Sequence, residues 1–199
     1  MKMKLKLLFI LMLSLAMALI SCNTHKYKYT QIPPPGYTLR TKPVWVDKTF
    51  SPQDKAVIED AVGQWNHVLN GTVVLKIVSY QFDMEIETLY QASREKGLLI
   101  MRVESDNYMV GDPTTGAWVN ELGGGRLYVV KDKVSTDMLK GIMLHELGHV
   151  MGASHQEGNT LMFERYNTLK FTCIDQATVK QVSTYQLINL NHLNYCFYE

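Results

Sequence analysis

The eleven residues His145-Glu146-Leu147-Gly148-His149-Val150-Met151-Gly152-Ala153-Ser154-His155 set the organisation of this chain. They lie in a run that starts at Ser135, has the apolar spacing of a helix and extends to about Met151. Two histidines four apart on a helix are separated by about 40° around its axis, so both imidazoles reach one point in space. Met143, Leu147 and Val150 fall on other faces, where they anchor the helix in a core. Gly152 is placed to take the left-handed conformation that ends a helix and turns the chain sharply. That turn would return His155 to the point where His145 and His149 meet.

Three imidazoles around an open fourth position describe a catalytic rather than a structural zinc site. One Zn2+ is therefore the expected cofactor, with His145, His149 and His155 as ligands. Glu146 is the expected general base, taking a proton from an attacking water and delivering it to a leaving amine. With six histidines and ten glutamates in 199 residues, His-Glu-x-x-His arises in roughly 1% of shuffled chains; adding the glycine and third histidine lowers this to roughly two in 100,000. Solvated histidines on a polar helix are the bland alternative. The apolar residues interleaved among them fit it poorly.

Outward from this stretch the chain reads as one α+β domain. Ser51-Pro52 opens a helix with an N-cap and a first-turn proline, and Ala56, Ile58, Ala61, Val62, Trp65 and Leu69 recur at helical spacing up to Asn70-Gly71. Strands are expected over Thr72 to Tyr80, Leu98 to Val103, Ala117 to Asn120 and Arg126 to Val130. Met84 to Lys96 is helical or irregular, Asp112 to Gly116 is a turn-rich loop, and a last helix covers roughly Asp175 to Ile188. No internal repeat interrupts the pattern.

The N-terminus belongs to another class of segment. Lys2, Lys4 and Lys6 precede an apolar run from Leu7 to Ile20 that ends in Leu19-Ile20-Ser21-Cys22. Charge, apolar core and small residue follow the layout of a secretory signal. A core of roughly 14 residues is short for a bilayer span, which needs about 20. The last four residues resemble a bacterial lipobox, which implies lipid on Cys22 and an extracytoplasmic, membrane-anchored protein; an ordinary secretory signal and an uncleaved anchor are the alternatives. Residues 1–21 are expected to be signal peptide, 22–45, with Pro33-Pro34-Pro35-Gly36 and Pro43, a semi-rigid tether, and 46–199 the domain. Removing the three lysines leaves 20 − 3 = 17 bases against 19 acids. Attachment to membrane would thus come from lipid, not from basic residues. The near-neutral balance and the lack of any finger or helix-turn-helix signature exclude nucleic acid as a partner. Cys173 and Cys196 remain as an even pair in an oxidising compartment, read as a disulfide, with two unpaired thiols as the alternative.

The eleven residues match the HExxHxxGxxH signature, and in this the chain resembles the metzincin metallopeptidases. Leu161-Met162-Phe163, seven residues beyond His155, looks like their Met-turn, in which a methionine underlies the metal; core packing is the other account of Met162. The order of helix with tryptophan, strands, active-site helix and C-terminal helix is similar to the matrixin type over about residues 45–190. This implies a mixed twisted sheet and a zinc endopeptidase acting on peptide or protein substrate. It also implies an edge strand near Ala117-Trp118-Val119-Asn120 that pairs with extended substrate, unless Trp118 is core. The chain departs from the family in two places. Cys22 is the only upstream cysteine and is committed to lipid, so no cysteine switch is expected. The astacin-like tyrosine two residues after the methionine is absent, which leaves Tyr166 as a candidate oxyanion donor or a packing residue. Structural calcium finds no obvious ligands, since Asp106, Asp112 and Asp132 are scattered, and His25, His67 and His192 lack partners at ligand spacing. A monomer is expected. Two other functions share these features: a zinc-dependent recognition protein without catalysis, and an amidase acting on cell-wall peptides.

Overall fold

The computed structural model describes residues 32–82, 96–107, 110–111, 115–164 and 173–196. Residues 1–21, expected to be a signal peptide, Cys22, Tyr166 and nearly all of the Met84 to Lys96 segment lie outside the described residues. The architecture is α+β. Five strands, β1 (Arg40–Asp47), β2 (Val73–Phe82), β3 (Leu98–Val103), β4 (Ala117–Val119) and β5 (Arg126–Val130), form one mixed sheet in the order β2-β1-β3-β5-β4. Neighbours are parallel except β4, which runs antiparallel to β5 at one edge. The described residues add three α-helices: α1 (Pro52–Leu69), α2 (Thr136–Val150) and α3 (Gln176–Gln186). Among the described residues no helix is long and apolar enough to cross a membrane.

Strand alternation assigns each sheet face its residues. Val44, Val46, Leu98, Ile100, Ala117, Leu127 and Val129 belong to the main core with α1, α2 and α3. Trp45, Leu99, Met101, Val103, Tyr128 and Val130 form a second cluster, to which Trp118 adds its ring. The short apolar runs bounded by glycine at 97 and 125 are the strands expected from the sequence, with the same limits for β3 and β5.

One expected boundary is corrected. The segment assigned to a tether reaches Trp45, yet β1 begins at Arg40 and lies inside the sheet between β2 and β3. Proline normally argues against an interior strand because it cannot donate to the ladder. Pro43 is accommodated because pairing of β1 with β3 starts only at Val44, so Pro43 has a strand on one side alone. A second, smaller correction is at β4, which ends at Val119.

A capped α1 braces α2, which carries the site and whose own N-cap, Ser135, makes no side-chain cap bond. Ser51 and Asp54 form a reciprocal capping box on α1, and Asn70 closes it in the left-handed conformation. Asp54 also accepts from Thr136 Oγ1 (2.7 Å) at the start of α2 and from Arg102 (3.2 Å) on β3. Trp65, fully buried in α1, donates its indole N–H to the carbonyl of Leu144 (3.0 Å), immediately before His145. The two helices are thereby fixed against each other at the level of the site.

Candidate metal centre

The C-terminus of α2 explains how residues ten apart meet. Gly152 has φ +98°, its N–H donates to His149 O (3.0 Å), and Ala153 N–H donates to Gly148 O (2.9 Å). These two bonds are the Schellman pattern, which needs a left-handed residue after the cap. No side chain would fit at 152, because the ring of Tyr185 from α3 packs against it. The chain reverses there, and His155 comes back over the helix.

The three Nε2 atoms converge: His145 to His149 is 3.1 Å, His149 to His155 is 3.1 Å and His145 to His155 is 3.3 Å. His145 Nδ1 donates to Leu161 O and His149 Nδ1 donates to Ala153 O, each at 2.7 Å. A carbonyl can only accept, so both rings, when neutral, carry their lone pair at Nε2. Two lone pairs facing at 3.1 Å repel; no hydrogen bond joins two acceptors. A positive centre between the rings resolves the conflict. A tetrahedral ion bonded at 2.0–2.1 Å would space its ligand nitrogens about 3.3–3.4 Å apart, close to the distances found. The cluster could therefore hold a metal ion, and no other such group of three occurs among the described residues.

Burial prepares the donors. His145 is 3% exposed, and burial pushes its pKa down to about 4, against the opposing bond to Leu161 and with further lowering from His149 and His155. Burial also lowers His149, again opposed by its backbone bond. Both imidazoles are neutral at neutral pH, so a metal would not have to displace a proton from either. His155 is solvent-exposed and marks the open side of the centre.

Glu146, next along α2, is also buried, at 2% exposure. Met162 is fully buried and lies under the helix against Gly148, the position between the two helical histidines. Cys173 and Cys196 form the disulfide. Trp118 turns to the second cluster, half-buried and stacked on Tyr128 (4.6 Å between centroids, 12° between planes), so packing accounts for its ring. Among the described residues β4 is one of the sheet's two edge strands, β2 being the other. Asn120, expected in that strand, instead closes the hairpin: its N–H donates to Arg126 O and its Oδ1 accepts from Arg126 N, both at 3.0 Å. The hairpin tip reaches the centre, because Gly123 N–H donates to His149 O (2.8 Å).

Three contributors were not singled out in the sequence. Gly148 gives Met162 its space, and a glycine inside a helix, which costs about 1 kcal/mol, was the available signal. Asp175 accepts from Leu161 N–H (2.8 Å), steadying the residue whose carbonyl holds His145. Gln181 accepts from Ser154, and sequence separation hides both of these last contacts.

No protein-family model matches the chain, and no curated protein matches its sequence.

Proposed function

We propose that this protein is a zinc-dependent endopeptidase of metzincin type, held outside the cytoplasm by lipid on Cys22. The observation that carries the reading is the convergence of His145, His149 and His155 Nε2 within 3.1–3.3 Å, with Glu146 in the helical turn between the first two. Three imidazole donors suit zinc among the available metals. Support for the metzincin type comes from the spacing of these residues, the turn at Gly152 and the buried Met162 beneath Gly148.

A zinc ion held by the three histidines would supply Lewis acidity, polarising a substrate carbonyl and lowering the pKa of water. Glu146 takes the proton of the attacking water and passes it to the leaving amine. His145 and His149 keep their orientation through Leu161 and Ala153, so the donors need no rearrangement before reaction. β4, at one edge of the sheet and tied through its hairpin to His149, offers backbone groups to an extended peptide.

Wild type and Glu146→Ala are compared for zinc content and for cleavage of a diverse peptide library. The variant should retain zinc and lose cleavage by at least the 10²–10⁴-fold typical of general acid–base groups. Retention of both metal and activity would sink the mechanism. Bound zinc with no peptide cleaved by wild type would favour a recognition protein. Separately, Cys22→Ser should leave the membrane fraction; unchanged fractionation would count against the lipid anchor.

A further inference from the structure

The three ligands are not held alike. His145 and His149 sit on a helix, and each is oriented by its own ring N–H. His155 lies beyond the helix on an exposed turn, and its Nδ1 makes no hydrogen bond among the described residues. Among the described residues, the contacts that fix its position are those of the chain on either side. On the C-terminal side, Gln156 N–H donates to Met162 O (2.9 Å) and Gln156 Nε2 to Ala177 O (3.3 Å). On the N-terminal side, Ser154 has one partner for two donors: its N–H (2.7 Å) and its Oγ (3.1 Å) both donate to Oε1 of Gln181 on α3.

We propose that Gln181 is a positioning residue for the third metal ligand, fixing His155 through the side-chain carbonyl that accepts from Ser154. The inference rests on the metal centre proposed above. The 2.7 Å backbone bond is short for a neutral amide, and it pins the Ala153–Ser154 peptide, one peptide before His155. Gln186 Nε2 adds a bond to Met151 O (3.0 Å) from the same helix, and Asp175 adds one to Leu161. Helix α3 is thus a rail along which the ligand-bearing chain is fastened from 151 to 161. Gln181 is the side chain of α3 that holds the residue before His155, whose own Nδ1 has no hydrogen bond among the described residues. The acceptor oxygen is the functional part, so the chemistry demanded at 181 is a carbonyl or carboxylate at glutamine length.

Zinc affinity of the full mature chain is measured by competition with a chromophoric chelator. Gln181→Leu, which keeps volume and removes the acceptor, should weaken zinc about tenfold, the lower end for residues that orient ligands. Gln181→Glu should keep the wild-type affinity, because the acceptor remains. In a His155→Ala background, Gln181→Leu should change nothing further. Unaltered affinity in Gln181→Leu overturns the proposal, as does an equal loss with and without His155, which would mean a general role in folding. A wild-type chain that binds no zinc would fail the metal centre itself. That result is distinct from a zinc-binding wild type indifferent to Gln181.

Discussion

The sulfur of Met162 occupies the space that a side chain at Gly148 would need: a Cβ there would lie 2.5 Å from Sδ and 3.2 Å from Cε. The contact between Met162 and this turn of α2 is therefore a matched pair, a large flexible side chain against an absent one.

Gly148→Ala measures that match. Alanine gains about 1 kcal/mol of helix propensity, whereas overpacking a full core costs about 1–3 kcal/mol. The expected result is a net loss of roughly 1 kcal/mol by urea denaturation. With Met162→Ala already in place the clash is gone, and Gly148→Ala should then stabilise by about 1 kcal/mol. The same sign in both backgrounds would refute the steric account.

Asp175 joins α3 to the centre. Its carboxylate caps the helix at Thr178 N (3.0 Å), accepts from Thr178 Oγ1 (2.8 Å) and holds Leu161 N–H (2.8 Å), all in buried surroundings. Asp175→Ala leaves those donors unpaired. Loss of the cap costs about 0.5–2 kcal/mol, and an orphaned buried donor about 1–3 kcal/mol. Denaturation should show a loss of roughly 2–4 kcal/mol. A change below 0.5 kcal/mol, the scale of ordinary surface substitutions, would show that the capping geometry contributes nothing.

The disulfide closes a loop across 23 residues around α3 and pairs with the backbone bond from Cys196 N to Ile174 O. In the chain-entropy model such a loop is worth about 3 kcal/mol. Reductant should lower the stability of wild type by about this amount and leave the Cys173→Ser/Cys196→Ser pair unmoved. Equal response of both proteins to reductant would disprove it.

Much of this arrangement is legible in local sequence. The reciprocal Ser51/Asp54 cap, the glycine-bounded β3 and β5, and the glycine turn at 152 are short-range chemistry, so the residues themselves announce them. β1 is different. Its apolar run is only Val44 to Val46, and it is preceded by Arg40, Lys42 and a proline, so the segment has the look of a linker until parallel partners from 73 and 98 close over it. Gln181 and Asp175 are invisible for a related reason. A hydrogen bond to a backbone group 27 or 14 residues away leaves no periodicity behind. Trp118 could be assigned to neither face until Tyr128 was found stacked beneath it.

Acid should unfold the metal-stripped protein through His145. An unfolded histidine titrates near 6.5, whereas burial holds His145 down to about 4 in the fold, with lesser contributions from its neighbours. Between those values the unfolded chain binds a proton that the native state refuses. Stability contributed by the neutral ring is therefore complete above about pH 6.5 and drains away as pH falls towards 4. The gap corresponds to a loss on the order of 3 kcal/mol. Denaturation midpoints of the chelator-treated protein, taken from pH 7.5 to 4, should fall across this window, and His145→Asn, which has no proton to take up there, should flatten the slope. Metal adds to the same trend, since protons compete for the Nε2 lone pairs, so holoprotein should release its ion on acidification. A slope that His145→Asn leaves unchanged would assign the acid sensitivity elsewhere.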